Sequence, residues 1–194
     1  DNEVFVNGRD DSIFNVEDFL IFAERGEVQR FRGDDQDNAL YIADLVGSRE
    51  DNVNGAGGDD VLETGDGRDI LIGGDGDDTL RGNSGDDLLQ GGADNDSLFG
   101  DNDNDTLEGG AGDDTLSGGN GDDSIDGGSG GETTGDVLTV GGPRDRFALI
   151  DGGAGTIIIV DRDGTLGRDT VTNVETLRFT DGDVSTTGLA LGQE

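Results

Sequence analysis

The sequence predicts an all-β chain built from stacked repeats, with small β-rich segments at either end. Three observations carry that reading. The chain has a strict nine-residue period, one aliphatic residue at a fixed place in every period, and glycine and aspartate where an ordinary core composition would be expected. From Gly55 it divides without gaps into GAGGDDVLE, TGDGRDILI, GGDGDDTLR, GNSGDDLLQ, GGADNDSLF, GDNDNDTLE, GGAGDDTLS and GGNGDDSID. The sixth position is always Asp: Asp60, Asp69, Asp78, Asp87, Asp96, Asp105, Asp114 and Asp123. The eighth is Leu62, Leu71, Leu80, Leu89, Leu98, Leu107, Leu116 and Ile125. A solvated, disordered Asp/Gly linker has no reason to keep eight aliphatic residues in phase.

The repeats have little apolar material to work with. Hydrophobic residues make up 30% of the 194, and 38 residues are glycine. The net charge is -34, from 46 acidic residues, 36 of them Asp, against 12 basic residues that are all Arg. This lies near the composition of disordered chains, so folding requires something beyond an ordinary core. Such a chain is repelled by nucleic acid phosphates and anionic lipids and attracts cations. No apolar run approaches the roughly 18 residues of a transmembrane span. No basic-plus-apolar signal segment opens the chain, and the missing initiator Met points to a processed product or a fragment. Without His or Cys there is no zinc- or copper-type donor set, no Ser-His-Asp triad and no disulfide. Paired carboxylates are everywhere and therefore say nothing about glycoside chemistry.

Two degenerate copies flank the array. Before it, GDDQDNALY (33–41) places Asn38 at position six and Leu40 at position eight, and a 13-residue stretch (42–54) carries Asp51 and Val53. After it, 127–139 is again 13 residues long and carries Asp136 and Leu138. The pattern GGxGxDxUx, with U a large aliphatic residue, resembles the calcium-binding nonapeptide repeat of RTX proteins. It runs uninterrupted over 55–126 and, with the degenerate copies, over about 33–139. The resemblance implies a right-handed parallel β-roll in which two nonapeptides complete one coil. Six residues of each nonapeptide form a turn and the last three a short strand. Glycines at positions one, two and four read as turn residues with φ > 0. The aliphatic residues form a thin stacked core that is buried only when neighbouring coils are present. Four coils make a rod about 19 Å long.

In such a roll, aspartates two repeats apart stack on one edge, giving Asp60, Asp78, Asp96 and Asp114 opposite Asp69, Asp87, Asp105 and Asp123. Carboxylates about 5 Å apart repel unless a cation lies between them, and an all-oxygen donor set suits Ca²⁺ better than Mg²⁺. The resemblance also implies the ligand sets, in which carbonyls at positions two and four and the Asp of one turn face carbonyls at positions one and three and the Asp of the next. On one edge these are Ala56, Gly58 and Asp60 with Gly73, Asp75 and Asp78; then Gly74, Gly76 and Asp78 with Gly91, Ala93 and Asp96; then Gly92, Asp94 and Asp96 with Gly109, Ala111 and Asp114. On the other they are Gly65, Gly67 and Asp69 with Gly82, Ser84 and Asp87; then Asn83, Gly85 and Asp87 with Gly100, Asn102 and Asp105; then Asp101, Asp103 and Asp105 with Gly118, Asn120 and Asp123. Past repeats seven and eight the sets continue through Gly110, Gly112, Gly119, Gly121 and Asp136, for about six to eight ions. Asp94 and Asp103 stand where glycine is expected at position four, and their sites are expected to be the weakest. Thr64 at position one, and Ala56, Asn83 and Asp101 at position two, are milder departures. Asp101-Asn-Asp-Asn-Asp and Asp161-Arg-Asp-Gly begin like EF-hand loops, but their twelfth positions, Gly112 and Thr172, are not Glu.

The composition changes at the ends, which divides the chain into an N-terminal β-rich cap (1–32), the roll (33–139) and a C-terminal β-rich cap (140–194). RFALI and TIIIVD, joined by DGGAG, read as a hairpin. DSIFNVE (11–17) and DTVTNVE (169–175) share an opening, and segments of this kind resemble the β units that border RTX arrays in large secreted bacterial proteins. The ends either cap the open edges of the roll or meet in neighbouring subunits to build a head-to-tail fibre. Two functions fit. One is a non-enzymatic, Ca²⁺-dependent structural or adhesive module of an extracellular matrix, surface or filament. The other is the C-terminal RTX module of a larger secreted enzyme or toxin whose catalytic domain lies outside this chain. The resemblance further implies type I secretion, for which the tail GLALGQE gives weak support, and an extracellular or bacterial cell-surface location, with calcium as partner and neither nucleic acid nor a membrane span.

Overall fold

The computed structural model describes residues 3–4, 18–23, 30–33, 36–44, 50–129, 135–187 and 189. Ahead of the array lie β1 (Glu3–Val4), β2 (Asp18–Ala23), β3 (Arg30–Arg32) and β4 (Ala39–Asp44). The repeats form β5 (Asn52–Gly57), β6 (Val61–Glu63), β7 (Ile70–Asp75), β8 (Thr79–Ser84), β9 (Leu88–Ala93), β10 (Ser97–Asn102), β11 (Thr106–Ala111), β12 (Thr115–Asn120), β13 (Ser124–Gly128) and β14 (Val137–Thr139). Beyond them come β15 (Phe147–Gly153), β16 (Thr156–Asp161), β17 (Arg168–Thr172), β18 (Thr176–Phe179) and β19 (Gly182–Ser185). Among the described residues no helix is long and apolar enough to cross a membrane.

Successive strands alternate between two sheets, so each coil adds one strand to each. One sheet runs β1-β2-β4-β6-β8-β10-β12-β14-β18-β19 and the other β15-β16-β17-β13-β11-β9-β7-β5-β3. From β5 to β13 every pairing is parallel with a shift of 18 residues, as in Leu80↔Leu98 and Leu71↔Leu89, and the four extra residues before β14 make it 22 at Leu116↔Leu138. The result is a β-solenoid of parallel stacked coils, the architecture the repeat pattern predicts. Most array strands are longer than the expected three residues. They start at position seven and continue through position three of the next repeat, because ladder pairing resumes past position one, as in Asn83↔Asp101.

Side chains alternate across each strand, so only one residue of positions seven to nine faces inward. In β8 this is Leu80, with Thr79 and Arg81 half-buried outside. The inner residues form two columns. One runs Leu40, Leu62, Leu80, Leu98, Leu116, Leu138, Leu177, and the other Phe31, Val53, Leu71, Leu89, Leu107, Ile125, Val171. Leu71 through Leu116 are 0% exposed.

The stacking does not stop at the end of the array. β17 pairs in parallel with β13 (Ile125↔Val171), and β18 with β14 (Leu138↔Leu177). Between them, β15 and β16 form the expected antiparallel hairpin, which joins the second sheet through β17. Phe147 packs on Phe179 with ring centroids 5.7 Å apart. Buried Asp161 receives both Nε and Nη2 of Arg146 at 2.7 Å and the backbone N–H groups of Asp163, Thr165 and Leu166. That network fixes the turn from the hairpin back onto the roll, and it holds the Asp161 carboxyl far below the usual carboxylate range. In the N-terminal segment, β2 extends the first sheet in parallel with β4. The Asn15-Val16-Glu17 motif lies outside the described residues.

A column one residue wide cannot repack around a deletion. Leu98→Ala is expected to cost about 2–5 kcal/mol, and Ser97→Ala on the outer face to stay within about 0.5 kcal/mol. Urea unfolding of the folded roll measures both.

Candidate metal centres

The turns place the sixth-position aspartates in the two expected columns, each buried to within 2% exposure. What the sequence reading missed is that each carboxylate is already tied to its neighbour. Oδ1 accepts the backbone N–H of the Asp one coil earlier: Asp60 N to Asp78 Oδ1 at 2.7 Å, Asp78 N to Asp96 at 2.9 Å, and Asp96 N to Asp114 at 2.8 Å. On the other edge Asp69 N reaches Asp87 at 2.8 Å, and Asp87 N reaches Asp105 and Asp105 N reaches Asp123 at 2.9 Å.

The second oxygen is different. Oδ2 of Asp78, Asp87, Asp96, Asp105 and Asp123 is buried and has no hydrogen-bond donor among the described residues. It points at the position-one glycine of its own repeat. A Cβ at Gly73 would collide with Asp78 Oδ2 and lie 2.8 Å from the carbonyl oxygen of Gly91 in the next coil. The same holds at Gly91, facing Asp96 Oδ2 and Gly109 O, and at Gly100, facing Asp105 Oδ2 and Gly118 O. Two oxygens thus converge on a volume that only the absence of a side chain keeps open. Carbonyls at positions two and four also point along the stack, since a Cβ at Gly74 or Gly76 would strike the oxygen of Ala56 or Gly58. Position-three carbonyls are partly engaged, with Asp75 O, Ser84 O, Ala93 O and Asn102 O accepting the N–H of Gly58, Gly67, Gly76 and Gly85. Each keeps one lone pair.

No three His, Cys, Asp or Glu side chains converge on one point among the described residues. Each cradle instead combines the carboxylates of neighbouring coils with peptide oxygens. An all-oxygen set with an orphaned buried carboxylate oxygen fits Ca²⁺.

Glycine serves two separate purposes here. Except at Gly65, positions two and four take positive φ, as at Gly74 and Gly76 (132° and 123°), whereas position one does not, contrary to the sequence expectation. Its glycine is there for space. The non-glycine residues at positions two and four, Ala56, Asn83, Asp94, Asp101 and Asp103, also adopt positive φ, between 73° and 85°, so the turn survives these substitutions. Thr64 is a larger departure than its sequence suggests. Its buried side chain stands in the space glycine leaves open elsewhere, and its hydroxyl donates to Gly82 O at 3.2 Å. The cradle between repeats two and four is thus filled by protein.

A second ladder runs through position five with the opposite polarity. Oδ1 of one coil accepts the N–H of the next, as from Asp77 N to Asp59, Asn95 N to Asp77 and Asp113 N to Asn95. On the other edge Asp86, Asn104 and Asp122 follow the same rule, with Asn104 N on Asp86 Oδ1 and Asp122 N on Asn104 Oδ1. Asn95 separates Asp77 from Asp113, and Asn104 separates Asp86 from Asp122, whereas Asp59 and Asp77 stay adjacent. Sequence reading overlooked this, although two Asn among the acids of position five were the visible sign.

Burial raises the pKa of the Asp78, Asp87, Asp96, Asp105 and Asp123 carboxyls, and neighbouring carboxylates add to it. Asp78 and Asp123 rise to about 6, Asp87 to about 7, and Asp96 and Asp105 to about 8, against an ordinary 3.8. The ion-free fold therefore holds more protons than the unfolded chain. This stabilisation is complete below about pH 4 and is lost as pH rises through 6 to 8. In a calcium chelator, acidification from pH 8 to pH 5 is expected to increase the β-signal in far-ultraviolet circular dichroism. An ion-free chain equally unfolded at both pH values contradicts it.

A family model, the RTX calcium-binding nonapeptide repeat (4 copies), matches residues 46–80, 72–107 and 99–131. No curated protein matches the chain. The family match covers the array that the stacked coils and their aspartate cradles define. The nonapeptides of residues 46–131 are RTX calcium-binding repeats, folded as a β-roll.

Proposed function

We propose that this chain is a secreted, non-enzymatic module that folds on extracellular Ca²⁺ and then serves as a structural or adhesive element of a matrix, surface or filament. The observation that carries the reading is the repeated orphaned carboxylate oxygen facing a glycine-vacated space. Bound calcium supplies positive charge between stacked carboxylates. The chain's own residues do the rest: Oδ1 ladders hold each carboxylate in register, position-one glycines keep the cradles open, and the leucine columns close behind them. At low Ca²⁺ the net charge of -34 and the buried aspartates oppose the coil, leaving an extended chain suited to a secretion channel. Millimolar extracellular Ca²⁺ exceeds the roughly 10⁻⁴–10⁻³ M affinities of extracellular modules.

Head-to-tail self-association belongs to the same reading. Its support is that the sheets end on β1 and β3 at one end and on β15 and β19 at the other. Filaments seen by electron microscopy after adding Ca²⁺ are the expected outcome, and persistent monomers count against it.

Removing calcium with EGTA should abolish the β-signal, and restoring it should bring the signal back; an unchanged spectrum refutes calcium-coupled folding. Asp78→Ala should weaken two successive ions, because the Asp78 carboxylate belongs to the turn sets on both sides. Thr64→Gly should reopen the filled cradle and add one ion, counted by native mass spectrometry.

A further inference from the structure

The aspartate column on the second edge does not end with the last regular repeat. Past the hairpin, the segment Gly167-Arg168-Asp169-Thr170-Val171 returns to the roll in the register of positions four to eight. Each position repeats an array contact. A Cβ at Gly167 would strike the carbonyl oxygen of Gly121, as Gly121 does that of Asp103. Arg168 N donates to Asp122 Oδ1 at 2.8 Å, as Asp122 N does to Asn104 Oδ1. Asp123 N donates to Asp169 Oδ1 at 3.3 Å, as Asp105 N does to Asp123 Oδ1. Thr170 N donates to Asp123 O, and Val171 lies over Ile125 in the core. The clue in the sequence was Gly-Arg-Asp itself, which also occupies positions four to six of repeat two.

At this junction Asp123 is 1% exposed, and its Oδ2 has no donor among the described residues and faces Gly118. Among the described residues, no carbonyl oxygen of the following coil comes as close to a Cβ at Gly118 as Gly118 O comes to one at Gly100, at 2.7 Å. A cavity of about 160 Å³ opens beside Gly118, Gly119 and Asp169, and Leu138, Val140, Phe147 and Leu166 complete its wall.

We propose that Asp169 and Asp123, with the carbonyl oxygens of Gly119 and Gly121, form a further calcium site that fastens the C-terminal segment to the last regular repeat. This rests on the calcium reading of the array. With two carboxylates and two carbonyl oxygens, against two carboxylates and four carbonyl oxygens in each array set, the site fills at higher Ca²⁺ than they do, so docking of β17 follows folding of the repeats.

Native mass spectrometry of the full chain at saturating Ca²⁺, paired with hydrogen exchange, tests this. Asp169→Asn keeps an oxygen for the Asp123 N–H but loses the charge; it should bind one ion fewer and lose amide protection at Thr170–Thr172 while the repeats stay protected. Gly118→Ala puts a methyl group against Asp123 Oδ2 and should also lose one ion with Asp169 intact. Wild-type ion counts in either variant overturn the proposal. A wild-type chain that binds no calcium overturns the underlying reading instead.

Discussion

Repulsion between stacked, buried carboxylates is the constraint on which the rest of this structure depends. At a strand spacing of about 5 Å and an effective dielectric near 20, two unit charges repel by about 3 kcal/mol. One fully buried leucine contributes about 1.5–3 kcal/mol. Each repeat adds one of each, so the apolar gain is offset by the charge it travels with. Glycine-rich turns then add their ordering entropy to the unfavourable side. A roll of this composition needs its carboxylates neutralised, either by protons, as the raised pKa values of Asp96 and Asp105 indicate, or by a cation.

The geometry prepares for that neutralisation rather than merely tolerating the charge. Each sixth-position Asp uses Oδ1 to bind the coil before it, while position five binds the coil after it, so neighbouring turns are laced in both directions. The lacing fixes Oδ2 in one direction, toward a place where glycine has removed the Cβ. Where threonine replaces that glycine, at Thr64, a hydroxyl takes the place and satisfies Gly82 O itself. The two solutions show what the position-one residue decides: an open cradle for an ion, or a closed one filled by the chain.

Much of this was legible in the sequence, and the reasons are physical. A nine-residue period with one inward position specifies the leucine columns, and the pairing Leu80↔Leu98 follows from two repeats per coil. The aspartate columns follow from the same arithmetic. The division of labour between Oδ1 and Oδ2 was not legible, because a residue letter does not say which backbone N–H a carboxylate meets. Position-one glycine was read as a turn residue because glycine serves conformation and space alike, and only the φ values separate the two. The continuation of the stack through Asp169 and Val171 was hidden by the hairpin inserted before it, which breaks the period while leaving the register intact.

Calcium as the partner of the stacked carboxylates is tested most directly by the unfolding free energy as a function of free Ca²⁺. If the cradles are filled only in the folded roll, stability should rise linearly with the logarithm of Ca²⁺ concentration, with a slope of about six ions released per unfolding event. A stability independent of Ca²⁺ at neutral pH would contradict calcium as the neutralising partner and leave the buried aspartate columns without one.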